Sequence, residues 1–183
     1  RHSYTAPGAY TVSLTITNQY GSDTSTQTYQ LAGHGDGDVV TFADPAIEAA
    51  VRAAINKPTG DLLTTDLIGV GFTSLSVQSS GVNDLSGLEY CADLEDLDLT
   101  NNSITSVGAL STLTALDNFL LDDNHVVNVS PLLINMGLGS GDTLSITGNP
   151  LSQNSLCTFI PALESRGVSV SYTGECLGPP QII

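Results

Sequence analysis

Apolar residues recur with a period of 22 residues through the second half of this chain. Each unit has three closely spaced apolar positions, then a polar position, then three more apolar positions. Because the same pattern returns unit after unit, it predicts a stack of similar coils. The first set aligns Phe72, Leu94 and Leu116, then Leu75, Leu97 and Phe119, then Val77, Leu99 and Leu121. The second set aligns Val82, Ile104 and Val126, then Leu85, Val107 and Val129, then Leu88, Leu110 and Leu132. A fourth unit, shifted by a three-residue insertion, contributes Leu144, Ile146 and Leu151.

The spacing inside a unit predicts its local structure. Leucines that flank one polar residue alternate as in a strand, so neighbouring coils would pair in a parallel sheet over a continuous core. The polar position holds Ser80, Asn102, Asn124 and Asn149 in successive units. A buried asparagine amide there can donate hydrogen bonds to the backbone of adjacent coils and accept hydrogen bonds from it, whereas the Ser80 hydroxyl can form fewer of them. This is the L-x-x-L-x-L-x-x-N-x-L pattern of leucine-rich repeats, with an atypical first coil.

A helix is predicted at residues 45–56, ahead of the repeats. Asp44 can serve as its N-cap and Pro45 as its first residue. Its apolar residues, Ile47, Val51 and Ile55, recur every four positions. A second short helical turn is predicted to start at Thr64 or Thr65 and to run to Leu67-Ile68.

A second helix and a final strand are predicted after the repeats. Residues 155–165 carry apolar side chains at helical spacing, and residues 167–172 alternate as a strand. Because the end coils of a solenoid expose core and sheet edge, we expect this pair and the helix at 45–56 to cap the stack.

The segment Phe-Ala-Asp-Pro-Ala-Ile-Glu-Ala-Ala-Val-Arg-Ala-Ala-Ile, starting at Phe42, resembles the helical cap of bacterial leucine-rich repeat proteins of the internalin type. With the repeats, the resemblance covers about residues 41–173. Phe119 in place of leucine and the Gly137-Leu-Gly-Ser-Gly insertion depart from the consensus. The resemblance implies recognition outside the cell or on its surface, usually of protein or glycan and without catalysis.

Residues 3–31 alternate apolar and polar side chains and predict a β-hairpin, with a turn at Asn18–Ser22 and a second strand at Thr24–Leu31. The run from Ser3 to Asn18, with the following Gly-Ser-Asp-Thr, resembles the closing strands of a polycystic-kidney-disease-type (PKD) β-sandwich. A complete sandwich of this kind takes about 100 residues, so we expect the chain to be a piece of a longer one. The hairpin could pack on the next domain, pair with another copy, or be loosely ordered.

The predicted fold class is therefore an α/β repeat solenoid: a short leucine-rich repeat array with helical caps, preceded by a β-hairpin remnant of an immunoglobulin-like sandwich. The predicted boundaries are residues 1–33 for the PKD-like hairpin, 34–40 for a linker, 41–176 for the capped repeat domain, and 177–183 for a linker to a following segment.

The charge balance narrows the function. The chain has 19 Asp and Glu against 4 Lys and Arg, a formal net charge of -15. Such a chain repels phosphate backbones and anionic lipid, so we predict that it does not bind nucleic acid. No apolar run approaches the ~20 residues that cross a bilayer, so no membrane insertion is predicted.

Catalytic and metal-binding patterns are hard to find. Asp36 and Asp38 have the spacing of a calcium loop, but no acidic ligand follows at its far end, so a solvated linker is favoured. No cofactor is predicted, but calcium stays open, either at these two carboxylates or as an ion that bridges to a sugar. The three histidines are scattered, with no partners at metal or triad spacing. Asp96 and Asp98 point to the same face, but an open strand offers no pocket for paired-carboxylate chemistry.

The three cysteines have different predicted roles. Cys91 is in phase with the core position Leu113 and is interpreted as a buried thiol. Cys157 and Cys176 flank a short loop, which predicts a disulfide in an oxidising compartment. A free cysteine in the cap is the alternative.

The solvent side of the predicted parallel sheet is the candidate binding face. It is rich in hydroxyls and carboxylates, has Leu120 as its one apolar member, and lacks the Trp, Tyr and Arg that dominate protein-binding hot spots. The alternative is that these are solvated outer positions of a spacer. Its predicted members are Ser74, Ser76, Gln78, Asp96, Asp98, Thr100, Asn118, Leu120, Asp122, Thr143 and Ser145, with Thr147 continuing the last strand.

We therefore expect a non-catalytic recognition or adhesion module of a large secreted or cell-surface bacterial protein. It would bind a basic protein patch, or a sugar held through calcium, on the concave face of the sheet. One alternative is a spacer or assembly module, in which the hairpin donates a strand to a neighbour and the chain self-associates. Another is an accessory module of a secreted hydrolase.

Overall fold

The computed structural model describes the backbone of residues 8–18 and 21–31 and, with side chains, residues 37–177. The chain divides into two compact units, Arg1–Asp38 and Val39–Ile183. Within the described residues, no helix is long and apolar enough to cross a membrane. The predictions for Asp36 and for the first two histidines, His2 and His34, lie outside the described residues.

The first unit contains a β-hairpin. β1 (Gly8–Asn18) pairs antiparallel with β2 (Gly21–Leu31) in a two-stranded sheet. The ladder extends from the Gly8–Leu31 pair to the Asn18–Gly21 pair, so β2 begins three residues before the predicted start at Thr24. Three of the five residues predicted for the turn, Asn18, Gly21 and Ser22, therefore belong to the paired strands. The predicted side-chain faces of these strands lie outside the described side chains.

The second unit is a repeat solenoid built on a five-stranded parallel sheet. The strands follow one another across the sheet in chain order. The predicted register is confirmed, since Leu75, Leu97, Phe119 and Leu144 occupy one row, which ends at Val170. The strands are β5 (Ser74–Ser76), β6 (Asp96–Asp98), β7 (Asn118–Leu120), β8 (Thr143–Ile146) and β9 (Ser169–Tyr172).

The chain returns between strands through short 3₁₀ turns at Leu88–Tyr90, Gly108–Thr112 and Ser130–Leu133. Each turn buries one leucine of the predicted period, and the inner side chains of all coils form one cluster from Val40 to Val168. Phe119, the departure from the leucine consensus, is fully buried in it. The repeat therefore folds as a single core, as expected for coils that cannot bury their apolar face alone.

A ladder of buried asparagines joins the coils. Asn102 Oδ1 accepts the N–H groups of Ser80 and Val82 in the preceding coil, both at 3.0 Å. Its Nδ2 donates to the carbonyls of Val77 and Leu99 at 2.7 and 2.9 Å. The predicted role is confirmed here, and Asn124 and Asn149 repeat it. The Ser80 hydroxyl donates within its own coil, to the Gln78 carbonyl, which fits the atypical first coil.

The helix before the repeats, α1 (Pro45–Ala54), is held at its start by Asp44. One Asp44 oxygen accepts the Ala46 N–H at 2.9 Å, and the other accepts the Asn83 N–H of the first coil at 3.1 Å. One buried carboxylate thus caps the helix and ties it to the solenoid. The helix ends two residues before the predicted Asn56, because Asn56 takes a left-handed φ of 54°.

A small antiparallel pair follows, in which β3 (Val39–Val40) binds β4 (Leu62–Leu63). The predicted second turn is confirmed as α2 (Thr64–Leu67). The Asp66 carboxylate accepts the Leu63 N–H at 2.7 Å and pairs with Lys57 at 2.5 Å. The hydrogen bond from Lys57, with that from the Leu63 N–H, lowers the pKa of Asp66.

The helix after the repeats starts as a π-helical turn, Ser155–Phe159, and continues as α3 (Ile160–Ser165). The turn places the buried Ser155 hydroxyl against the third repeat coil. It donates to the Val127 carbonyl at 2.9 Å and accepts the Val129 N–H at 3.3 Å. The serine hydroxyl therefore forms hydrogen bonds with two backbone groups here, as the asparagine side chains do elsewhere in the stack.

Cys157 and Cys176 form a disulfide that ties the segment after β9 to this helix. The two cysteines are 19 residues apart. Loop-closure entropy for a ring of this size predicts that replacing both with serine lowers the free energy of unfolding by about 3 kcal/mol. Urea unfolding would measure this, and wild-type protein in reducing buffer should match the variant. Equal stability of oxidised wild type and variant would contradict the prediction.

Candidate functional site

We call the solvent side of the five-stranded sheet the polar face. Eight of the eleven predicted face residues lie within its strands, and the other three, Gln78, Thr100 and Asp122, follow the ends of β5, β6 and β7. The register places Ser74, Asp96, Asn118 and Thr143 in one row. A second row holds Ser76, Asp98, Leu120 and Ser145. β9 extends the rows with Ser169 and Ser171, which the sequence-based list omits.

Side chains on the polar face bind one another across the strands. Gln78 Nε2 donates to Asp98 Oδ2 at 2.5 Å, which links the first two coils. The other Asp98 oxygen accepts the Thr100 N–H at 3.0 Å. This explains why Gln78 and Thr100, which lie just beyond the strands, belong to the same surface.

Asp122 is held by the next coil. Its Oδ1 accepts hydrogen bonds from the Ser145 hydroxyl and from both the N–H and the hydroxyl of Thr147, each at 2.7 Å. Charge-assisted hydrogen bonds of this kind are stronger than neutral ones. The carboxylate is therefore fixed in position, with its Oδ2 as the remaining acceptor.

The row that begins at Ser74 is connected more loosely. Asn118 Nδ2 donates to Asp96 Oδ1 at 3.4 Å, and the Thr143 hydroxyl donates to Asn118 Oδ1 at 2.6 Å. Asp96 is exposed and Asp98 is half-buried. The polar face thus presents carboxylates in three successive rows, at Asp96, Asp98 and Asp122, of which Asp96 is the most accessible.

No cation neutralises the polar face within residues 37–177. Arg52 pairs with Glu48, and Lys57 pairs with Asp66 near α1 and α2. Arg166 donates to backbone carbonyls after the third 3₁₀ turn. The three face carboxylates therefore give a negative potential that a partner would have to complement.

The polar face presents carboxylate, hydroxyl and amide groups on an open surface. Asp96 and Asp98, the candidate carboxylate pair, lie on an open strand face, as predicted. Among the described residues, no three His, Cys, Asp or Glu side chains lie close enough together to hold a metal ion.

Two polar residues behind the sheet are not found by sequence reasoning. Asn135 occupies the place that Leu113 and Cys91 fill in earlier coils, and it is fully buried. Its Nδ2 donates to the Leu110 and Leu113 carbonyls at 2.9 and 2.8 Å. Arg166 donates to the carbonyls of Leu133 and Asn135. The signal available in the sequence was the asparagine at a core position of the period.

Cys91 is buried in the core, as predicted, and is the free cysteine of the chain. Burial, with a contribution from the Glu89 carboxylate, raises the pKa of its thiol to about 12. Because the thiolate is the reactive form, we expect no reaction with Ellman's reagent at pH 8 in the native protein. One thiol per chain should react once the protein is unfolded. Rapid native labelling would contradict the buried position.

Comparisons with known proteins agree with this architecture. Residues 1–32 match the family model of the PKD domain. The structure of an internalin, InlF, from Listeria monocytogenes is 27% identical with a TM-score of 0.53, and the match covers 61% of this chain and 32% of that one. The functional domain of InlJ from Listeria monocytogenes, which includes a cysteine ladder, is 25% identical with a TM-score of 0.50 and coverages of 63% and 30%. No curated protein sequence matches this chain.

The 22-residue period, the parallel sheet and the asparagine ladder together give the second unit a leucine-rich repeat fold. More particularly, the repeat domain is internalin-like and the N-terminal part of the chain is PKD-like. The match spans about a third of the length of the two internalin structures described above.

Proposed function

We propose that this chain is a non-catalytic recognition module of a larger secreted or cell-surface bacterial protein, and that it binds protein or glycan through the polar face. The observation that carries the proposal is the set of three carboxylates, Asp96, Asp98 and Asp122, on a face where residues 37–177 place no Lys or Arg side chain. The internalin-like fold and the PKD-like N-terminal part support a place outside the cell, as does the disulfide.

The hydrogen bonds of the polar face favour a preorganised site. Asp98 and Asp122 are each held by donors from their own or a neighbouring coil, so binding costs little side-chain ordering. A partner with Lys or Arg side chains complements their charge and gains in association rate. A sugar could use the hydroxyl-rich rows with calcium as a bridging ion. Removal of calcium by a chelator would abolish binding of the sugar and leave binding of the basic protein intact.

The test is a binding screen of the chain on glycan and cell-surface protein arrays, with calcium and with chelator. A variant with Asp96→Asn, Asp98→Asn and Asp122→Asn keeps the size of the three side chains and one acceptor oxygen on each, but removes their negative charge. A matched control, Asp61→Asn with Glu164→Gln and Glu175→Gln, removes three negative charges from exposed positions elsewhere.

We expect at least a tenfold loss of affinity in the face variant and little change in the control. If the affinity fell equally in both variants, binding would depend on general electrostatic attraction rather than on a site. If the affinity of the face variant were unchanged, the proposal would be contradicted. Binding that disappears with chelator would identify sugar bridging.

We further propose that α1 caps the first coil and that α3 with β9 caps the last one. The contacts that support this are the hydrogen bond of Asp44 with Asn83 of the first coil and the pairing of β9 with β8, the strand of the fourth unit. The predicted domain boundaries remain part of the proposal, as does the origin of the hairpin in an immunoglobulin-like sandwich.

A second candidate function is assembly, because the sheet of β1 and β2 contains two strands among the described residues. Two strands alone are marginally stable, and an added strand would complete the sheet. Sedimentation velocity over a wide concentration range would test this. Concentration-dependent self-association is expected, and a monomer at every concentration would contradict it.

A further inference from the structure

Two large apolar side chains stand out on the surface of the third coil. Ile134 is 70% exposed and Met136 is 82% exposed. The 22-residue period places Thr112 and Thr114 at the same positions in the preceding coil, and both are exposed. The repeat therefore folds with polar residues at these positions, and coil stacking gives no reason for the two apolar side chains.

Hydrogen bonds of Asn135 and Arg166 hold the backbone that carries these two side chains. Asn135, between them, is fully buried and bound to two carbonyls of the preceding coil, and its Oδ1 accepts the Gly137 N–H at 2.9 Å. Arg166 adds hydrogen bonds to the Leu133 and Asn135 carbonyls at 3.1 and 2.5 Å. A partner that covers this pair would not have to order the loop, which is the condition for an efficient anchor.

The local charge indicates what the partner carries. Arg166 is half-buried and makes hydrogen bonds to carbonyls, and among residues 37–177 it forms no ion pair with a carboxylate, unlike Arg52 and Lys57. No carboxylate among these residues therefore contacts the positive charge of Arg166, which lies beside the apolar pair. This is unusual on a chain with a net charge of -15. A carboxylate on the partner would find its complement here.

Three other occupants are disfavoured by the same observations. An anionic membrane would be repelled by the net charge of the chain. A second copy carries the same charge, and two side chains cover far less than the ~800 Å² per partner of a stable interface. A small ligand needs a concave pocket, whereas these side chains project outwards.

We propose that Ile134 and Met136 form a second docking surface, separate from the polar face, for a protein segment that presents apolar side chains next to an Asp or Glu. The buried Asn135 holds the anchor rigid, and Arg166 receives the acidic group. This surface does not depend on the proposed function of the polar face.

The test uses a random peptide display library as the probe. Peptides are selected on the wild-type chain in the presence of excess soluble Ile134→Thr/Met136→Thr variant, which copies the threonines of the preceding coil. The selected peptides are then titrated against the wild type, this variant, and Val127→Thr, which removes an exposed apolar side chain elsewhere. Circular dichroism checks that each variant is folded.

We expect peptides that combine apolar residues with Asp or Glu. Their Kd should rise at least tenfold for the double variant and stay unchanged for Val127→Thr, and exchange of the peptide's acid for its amide should weaken binding several-fold. Failure to enrich peptides, or equal binding to the double variant, would overturn the proposal.

Two further measurements address the other occupants. Co-sedimentation with phosphatidylserine-containing vesicles that requires Ile134 and Met136 would replace the protein partner with a membrane. A dimer that the double variant abolishes would replace it with a second copy. Either result would overturn the proposal in its stated form.

Discussion

Replacing Gly137 with alanine is expected to lower the free energy of unfolding of the repeat domain by about 4 kcal/mol, above the usual ~1–3 kcal/mol for overpacking. A Cβ at this position would lie 2.0 Å from the Thr114 carbonyl oxygen and 2.6 Å from two further Thr114 backbone atoms. Because these are backbone atoms of the preceding coil, no side chain can rotate away. The coils themselves would have to separate, and urea unfolding would measure the cost.

Gly139→Ala is the matched control in the same insertion. Its Cβ would meet nothing closer than the Arg166 carbonyl oxygen at 3.6 Å. We therefore expect a change within about 1 kcal/mol, towards higher stability, because alanine restricts the unfolded chain. If both substitutions destabilised the protein equally, the close approach of Gly137 to Thr114 would not be the cause.

The second large effect is expected from Asn124→Ala in the buried ladder. The Asn124 side chain donates to the Leu99 and Leu121 carbonyls at 2.9 and 3.1 Å and accepts the Ile104 N–H at 3.0 Å. Alanine leaves the Ile104 N–H without a partner, at about 1–3 kcal/mol. The Leu99 and Leu121 carbonyls each lose one side-chain hydrogen bond and keep the one from Asn102 or Asn149, at about 0.5–1.5 kcal/mol each. Together we expect a net loss of about 4 kcal/mol in urea unfolding.

Asn118→Ala makes the same chemical change on the polar face. Asn118 is exposed, and its hydrogen bonds reach the Asp96 and Thr143 side chains. Water can replace these bonds, so we expect a change within ~0.5 kcal/mol. A similar loss of stability in both variants would show that the ladder position is not special.

Both large effects bear on the polar face, because the face exists only while the coils stay stacked. Asp122 is fixed by Ser145 and Thr147 of the next coil, and the Gly137 contact lies on the connection between β7 and β8. A variant that separates these coils should therefore also weaken any binding through Asp122. Binding measured on partly destabilised variants, under conditions in which they remain folded, would reveal this coupling.

Much of the architecture could be predicted because the repeat is local. The 22-residue period determines which side chains share a row, so the alignment of Leu75, Leu97 and Phe119 and the members of the polar face follow from it. The disulfide between Cys157 and Cys176 also follows from its place at the end of the array. In each case the spacing along the chain determines the spatial neighbour.

The third coil shows where such reasoning ends. Asn135 replaces a core residue of the period, and its burial is tolerable because the Leu110 and Leu113 carbonyls lie within reach. Leu138, inside the glycine-rich insertion, is buried and joins the core. Arg166 comes from the helix after the repeats to bind the same coil. None of these contacts follows from the period, because each joins residues at a different spacing.

The amino-acid sequence by itself determined the solenoid, its strand register, its asparagine ladder and the composition of its polar face, since a periodic chain repeats each contact at a constant separation. The tertiary structure alone decided how Asp44 binds the first coil, how Ser155 binds the third, and how the insertion turns against Thr114. It also decided that Asn135 and Arg166 hold Ile134 and Met136 outwards. These features depend on contacts between non-repeating segments, and such contacts exist only after the stack has formed and brought those segments together.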